Sequence, residues 1–397
     1  MNMTCKQIRY LPILYLAASF LLPLHPISAQ QNGLPLRDFD SVLGFYHPHF
    51  LAGQAILEEA VVRRLGAVSS ALQAAAANEI ANLSISAAGT QYFFGRDRMF
   101  YVSESLGTYF IEPPWTTGAG NGSVGINTSY LDFRTLQGRG MSRIFDFYNA
   151  DGDLAWQGDY CLTGQLTTLS MAYGVMDRLD LGLIVPLVYL DGEGKGRFAR
   201  VANFPDITDF NESITDVADI FIRAKYEILE IEDLDNLFSW SAGVDVKLNN
   251  GDSDELLGTG DVGVRLRTSV GKRIGRFYPV VELAYNFAGV DAVNRMTVLD
   301  RNVPDAVITF PTGVEDDDFN AFEIRCGLPV ALIAEKWTLS MEWMHSNSSF
   351  AVTNDWGVST RIKINDQFFV QGGVRIPLDD EGLRTDFIPT IGCEYRF

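Results

Sequence analysis

Apolar residues occupy every second position along much of this chain. In the stretch 178–190, Leu179, Leu181 and Leu183 fall in one phase, and Asp180 and Gly182 fall in the other. A period of two places these two sets on opposite faces of a β-strand. Because about eleven further stretches after residue 120 follow the same plan, the pattern predicts one sheet of many similar strands.

We predict twelve strands, each with the ~9–11 residues, or slightly more, that a tilted strand needs to cross a membrane. Their connections alternate between short and long, as they do in outer-membrane barrels, and an even strand count fits this alternation. The chain is therefore predicted to be all-β, as a transmembrane antiparallel up-and-down β-barrel of about twelve strands. The strands are expected near 122–134, 157–173, 178–190, 217–229, 237–249, 260–272, 277–289, 320–333, 337–348, 355–364, 367–378 and 386–397.

The final strand carries a further signal. It alternates apolar and polar residues and ends on Tyr395, Arg396 and Phe397, which resembles the terminal strand by which outer-membrane barrels are recognised for insertion. We predict that Tyr395 and Phe397 form this insertion signal. The predicted partners are therefore the barrel-assembly machinery, outer-membrane lipid and lipopolysaccharide.

The N-terminus has the pattern of a secretory signal peptide. Lys6 and Arg9 precede an apolar run at 10–24, and a small-residue cleavage site follows at 27–29. A basic start, an apolar run of this length and small residues at the end are typical of such peptides. We predict a signal peptide at 1–29 and localisation in the cell outer membrane.

The segment between the signal peptide and the barrel is predicted to be a separate unit. It spans 30–120, and the barrel spans 121–397. Apolar residues spaced by four and three predict a helix at about 51–83, and short alternating pieces predict a hairpin near 91–102. This segment is expected to lie in the periplasm or to plug the lumen.

The composition excludes some classes of function. The chain has 397 residues and a formal net charge of −19, whereas nucleic-acid binding requires a basic face. No zinc cluster and no Gly-rich phosphate loop occurs in the sequence. We therefore predict no nucleic-acid partner, no cofactor and no metal.

The phase opposite the apolar stripes carries charge near the middle of six consecutive strands. The signs alternate, so that side chains on neighbouring strands, ~4.8 Å apart, could pair across the inner wall. This belt could narrow the lumen through ion pairs that satisfy one another, and it could form a constriction that selects a solute; the two roles are compatible. Its members are Arg223, Asp245, Arg265, Glu282, Arg325 and Glu342.

Two motifs carry a family resemblance. Residues 173–186 read YGVMDRLDLGLIVP, and Gly251-Asp252 is followed by LGTGD at 257–261. With the strands around them, they resemble the outer-membrane transporter family named for the meta-pathway of phenol degradation over about 160–290. The family often has Pro-Thr-Gly before the loop, where this chain has Asn249-Asn250-Gly251. The resemblance implies a barrel that passes small compounds, hydrophobic or aromatic ones among them.

Three functions remain open at this stage. The first is passage of a small-molecule solute through a charged lumen, and the alternative is a structural or adhesive barrel with a closed lumen. A barrel-embedded lipid hydrolase is a minor alternative, for which His345-Ser346-Asn347-Ser348 is the candidate stretch. Because Ser346 and Ser348 alternate with His345, a strand would place them on the opposite face. We therefore predict that the protein is not an enzyme.

Overall fold

The computed structural model describes residues 75–76, 78–81, 92–94, 100–102, 105–143, 147–148, 154–198, 207–229, 238–252, 257–289, 295–299, 307–311 and 316–397. The predicted signal peptide and most of the predicted helix at 51–83 lie outside the described residues. Of that helix, residues 75–76 and 78–81 are described, and they are helical. Among the described residues, no helix is long and apolar enough to cross a membrane.

The chain is dominated by strands that follow the alternating stretches. The strands are β1 (Tyr92–Phe94), β2 (Phe100–Val102), β3 (Gly122–Leu136), β4 (Arg139–Gly140), β5 (Phe147–Tyr148), β6 (Leu154–Met176), β7 (Leu179–Phe198), β8 (Ile207–Val217), β9 (Phe221–Leu229), β10 (Phe238–Lys247), β11 (Gly263–Lys272), β12 (Val280–Phe287), β13 (Arg295–Leu299), β14 (Val307–Pro311), β15 (Ala321–Ile333), β16 (Trp337–Ser348), β17 (Val352–Lys363), β18 (Phe368–Pro377), β19 (Leu383–Thr385) and β20 (Ile388–Arg396). Short 3₁₀ turns lie at Met141–Arg143 and Asp316–Phe319.

Twelve of these strands form one closed antiparallel barrel, which confirms the predicted fold class. Each pairs with the next barrel strand along the chain, and β3 pairs with both β6 and β20, so the ring is complete. The barrel strands are β3, β6, β7, β9, β10, β11, β12, β15, β16, β17, β18 and β20. β1 and β2 form a separate antiparallel hairpin.

The two ends of the barrel differ. At one end, called here the turn end, short turns at 177–178, 334–336 and 364–367 join the strands. The first and last barrel strands also meet there, where the Gly122 amide donates to the Phe397 carbonyl at 2.9 Å. The connections at the other end, called the loop end, are longer, except for 349–351 between β16 and β17.

Several stretches expected to be loops contain strands. β6 and β7 run well beyond the predicted strands, and β8 pairs with β7 inside the predicted loop at 191–216. β13 pairs with β14 inside the predicted loop at 290–319. Backbone pairing requires no alternation of apolar side chains, so the pairing continues where the pattern that predicted the strands has ended.

The barrel wall has an apolar outer face and a polar inner face. Inner-face residues such as Asp245 and Glu282 are each 1 % exposed. Large apolar side chains of the other phase point outward, which is the arrangement of a wall that faces lipid. They include Leu181, Ile222, Tyr226, Phe238, Trp240, Leu266, Tyr285, Phe322, Trp337, Trp356 and Tyr395, all between 39 % and 50 % exposed.

Candidate functional site

A segment without regular secondary structure crosses the lumen. Residues 105–117, called here the strap, are buried, and Glu112, with 9 % of its side chain exposed, is only slightly more accessible than the rest. Arg361 on β17 donates to the Leu106 carbonyl at 2.6 Å, and the Thr117 amide donates to Asp180 on β7 at 2.8 Å. Because β7 and β17 lie far apart around the ring and both side chains belong to its buried phase, the strap must pass through the inside of the barrel.

The middle of the strap is held by a wall carboxylate. The backbone amides of Tyr109 and Phe110 donate to Oε1 and Oε2 of Glu342 at 2.9 and 2.8 Å. Ser359 on the next strand also donates to Glu342, at 3.1 Å. We call this contact the amide anchor. Hydrogen bonds to an ionised acceptor are stronger than those between neutral groups.

A few residues further along the strap, the charges are reversed: the strap supplies the carboxylate and the wall supplies the cations. Glu112 of the strap lies between two wall cations on β9, at 2.6 Å from Nη1 of Arg223 and 2.9 Å from Nζ of Lys225. We call this contact the carboxylate anchor. Burial alone would raise the pKa of Glu112, but Lys225 and Arg223 outweigh burial and lower it from 4.5 to about 2.

The strap leaves the lumen at the turn between β6 and β7. Thr116 donates to the Asp177 carbonyl at 2.8 Å, and Thr117 donates to Asp180 through its hydroxyl, also at 2.8 Å. A Cβ atom at Gly174 would lie 1.9 Å from the Gly118 carbonyl oxygen, so only glycine fits there. The motif at 173–186, which carried the family resemblance, therefore holds the end of the strap.

The wall is also shaped to receive the strap. A Cβ atom at Gly327 would lie 2.7 Å from the Thr108 methyl carbon, and one at Gly357 would lie 2.7 Å from Phe110. Both distances are too short for a real contact. The missing side chains on β15 and β17 are what allow the strap to lie against the wall.

Residues 75–76 and 78–81 lie in the loop-end half of the lumen. Glu79 lies 3.2 Å from Nη2 of Arg375 on β18, and Ala81 packs against Ile184 and Phe221 on the other side of the barrel. The lumen is therefore occupied twice, by helical residues near the loop end and by the strap near the turn end.

Five of the six predicted belt residues form a chain of ion pairs. Asp245 lies 2.9 Å from Arg223 and 3.6 Å from Arg265. Arg265 lies 2.6 Å from Glu282, and Glu282 lies 3.8 Å from Arg325. The sixth member, Glu342, belongs instead to the amide anchor, because its direct neighbours across the strands are Gly327 and Gly357 rather than a cation.

The sequence reasoning missed a second set of inner charges on the last strands. Arg361 pairs with Glu394 at 2.7 Å, and Asp355 pairs with Arg375 and, at 2.5 Å, with Arg384. Their positions opposite the apolar phase of β17, β18 and β20 were the signal that could have found them. The strap itself gave no such signal, because its contacts are made largely by backbone groups.

The structure also locates the residues predicted for membrane insertion and those considered for lipid hydrolysis. Tyr395 and Phe397 are 46 % and 56 % exposed, on the outer face, and their role in insertion stays a prediction. Nδ1 of His345 lies 2.9 Å from Asn354 Oδ1, and the Ser348 hydroxyl donates to the Ala351 carbonyl. In the part of the chain that the structure describes, no group of three or more His, Cys, Asp or Glu residues is arranged to hold a metal.

No family model matches the chain, so membership of the meta-pathway family stays a prediction, and no curated protein matches either. Among solved structures, an outer membrane channel from Pseudomonas putida F1 is 13 % identical, with a TM-score of 0.44, over 72 % of this chain and 98 % of its own.

Two further solved structures are similar at the same low level. The beta domain of a Bordetella autotransporter is 11 % identical, with a TM-score of 0.39, over 70 % of this chain and 99 % of its own. A toluene transporter from Ralstonia pickettii is 10 % identical, with a TM-score of 0.38, over 79 % of this chain and 96 % of its own. At this level of similarity, these structures do not establish the function of the chain.

Proposed function

We propose that this protein is an outer-membrane channel for small solutes and that the strap closes its lumen in the state described here. The apolar outer face supports insertion into lipid, and the predicted signal peptide supports export to the outer membrane. Segment 30–120 then acts as the plug of the barrel at 121–397.

The polarity of the wall beneath the strap carries this proposal. The strap contacts carboxylates, cations and hydroxyls of the wall, among them Glu342, Arg361 and Asp180. A lumen that only had to be filled could be apolar, because well-packed apolar residues stabilise as much as buried ion pairs do. A polar wall can be hydrated again when the strap leaves, and the barrel then holds a water-filled path.

The chemistry of the inner wall also indicates which kind of solute the channel would pass. At the strap, the inner surface offers mainly charged and hydrogen-bonding groups. Such a surface favours polar or charged solutes. Passage of the hydrophobic or aromatic compounds implied by the family resemblance would require apolar contacts along a different part of the lumen.

A reversible cross-link tests the proposal. Because the Gly327 and Thr108 positions are in contact, the pair Thr108→Cys and Gly327→Cys is within reach of a disulfide. We expect the oxidised pair to block conductance in planar bilayers and reduction to restore it, whereas Thr108→Cys alone should conduct in both states. If neither the reduced pair nor the unaltered chain conducts, the structural or adhesive barrel with a closed lumen is the correct function.

A further inference from the structure

One binding site in the wall is occupied by a carboxylate that belongs to the strap. The two oxygens of Glu112 lie on separate cations, Oε2 at 2.6 Å from Arg223 and Oε1 at 2.9 Å from Lys225. All three side chains are at most 9 % exposed. The site therefore binds a carboxylate through both oxygens, away from bulk water, where such contacts are strong.

Without Glu112, the wall cations at this site outnumber the carboxylates that pair with them. The cations Arg223, Lys225 and Arg267 pair with two wall carboxylates, Asp180 and Asp245. The next inner-face carboxylate on β9, Glu227, accepts hydrogen bonds from Thr116 and Ser239 instead. The neighbouring wall charges balance each other, two against two: Arg265, Arg325, Glu282 and Glu323. A single carboxylate is enough to replace Glu112 as the partner of Arg223 and Lys225.

Two further observations point to a ligand. Arg267 is 4 % exposed, and its Nη2 has no hydrogen-bond partner among the described residues, so a buried donor is left over beside the site. A cavity also lies next to the Glu112 carboxylate, and small wall residues, including Ser170, Ala172 and Gly182, keep it open. Asp180 and Glu394 also line that cavity. It lies where the short body of a solute would extend if its carboxylate contacted Arg223 and Lys225 in place of Glu112.

We infer that the channel takes small monocarboxylates, and that Arg223 and Lys225 form their binding site, which Glu112 occupies while the lumen is closed. This inference rests on the proposed channel function. A monocarboxylate and the strap then compete for the same cations, and binding of the solute favours the released strap. A dianion fits less well, because its second charge would lie beside the carboxylate of Asp180. That carboxylate is itself 3.7 Å from Nζ of Lys225.

Propionate and its neutral analogue propionamide test the inference on the full chain in lipid bilayers. Release of the strap is measured in two ways, by conductance and by acrylamide quenching of the fluorescence of Trp115, a strap residue that is 1 % exposed. The Trp115→Phe variant gives the background fluorescence of the other tryptophans. We expect propionate to increase both signals with a saturable midpoint and propionamide to leave them unchanged. In the Glu112→Gln variant, the propionate concentration at the midpoint should fall about tenfold, because a larger fraction of the molecules has the site free to bind propionate.

Matched variants separate the possible results. Glu335→Gln, at an exposed turn, should keep the midpoint of the unaltered chain, and Lys225→Gln should lose the saturable response while still folding, as judged by gel mobility without heating. Equal effects of propionate and propionamide, or an unchanged midpoint in Glu112→Gln, would overturn the inference and leave the channel intact. Absence of conductance in Glu112→Gln under every condition would instead overturn the channel function itself.

Discussion

The two anchors of the strap use opposite chemistry. At the amide anchor the wall supplies the charge, from Glu342, and the strap supplies only the backbone amides of Tyr109 and Phe110. At the carboxylate anchor the strap supplies the charge, from Glu112, and the wall supplies Arg223 and Lys225. The two contacts lie within a few residues of each other on one short segment.

Because the two anchors differ in this way, one can determine how stable the closed lumen is while the other determines which solutes open it. Any residue except proline has an amide to offer Glu342, so the amide anchor does not depend on the side chains of the strap. A dissolved anion would be repelled by Glu342 but attracted to Arg223 and Lys225. We therefore expect the amide anchor to set how firmly the lumen is closed, and the carboxylate anchor to set what opens it.

The largest effect is expected from Glu342→Ala. It removes both amide partners, and each hydrogen bond to a charged group contributes about 1.5–3 kcal/mol, so the released fraction of the strap should rise about a hundredfold or more. Conductance in planar bilayers measures the change, with Glu335→Ala as the matched control. A folded Glu342→Ala barrel that conducts no more than the unaltered chain would show that the amide anchor does not hold the strap.

Acid should act on the carboxylate anchor. The pKa of Glu112 is about 2 in the closed state, against an ordinary value of 4.5, so protons bind the released strap more readily. The stabilisation of the closed state is complete above pH 4.5 and is lost as the pH falls towards 2, with release up about thirtyfold at pH 3. Glu112→Gln should remove this step in the conductance-against-pH curve. A step that survives in Glu112→Gln would have to arise from another carboxylate.

Shape can be tested without a change of charge through Gly357→Val. The added side chain would collide with Phe110, whose ring already lies 2.7 Å from the position of a Cβ atom. Overpacking costs about 1–3 kcal/mol, so the released fraction should rise about tenfold. Valine favours strands, so barrel formation should persist. Gly372→Val, on a wall glycine that no strap atom approaches within 4 Å, is the control and should leave conductance unchanged.

The sequence predicts the barrel well because a period of two is a direct consequence of a wall with two different faces. Leu181 and Asp180 are neighbours in the chain, yet 46 % of one side chain is exposed and 5 % of the other. The alternation therefore identifies strands and their inner face together. It does not locate the ends of β6 and β7, because their outer parts pair without that alternation.

The site was predicted only in part, for a physical reason. Charge alternation on adjacent strands indicated Arg223, Asp245 and Arg265, since their pairing is set by strand register. The strap contacts are not set by any register. Glu342 meets two backbone amides more than 200 residues away in sequence, and no residue pattern marks an amide that will be used in this way.

The smallest effect is expected from Tyr109→Phe, which removes one side-chain contact beside the amide anchor. The Tyr109 hydroxyl donates to Asn127 Oδ1 at 3.0 Å, and that oxygen also accepts from Gln371 at 2.6 Å, so it keeps a partner. Loss of one neutral hydrogen bond costs about 0.5–1.5 kcal/mol, which corresponds to a rise in conductance of roughly two- to tenfold. Tyr285→Phe, on the outer face, should change nothing. An effect of Tyr109→Phe as large as that of Glu342→Ala would mean that side chains rather than amides hold the strap, and the distinction between the two anchors would fail.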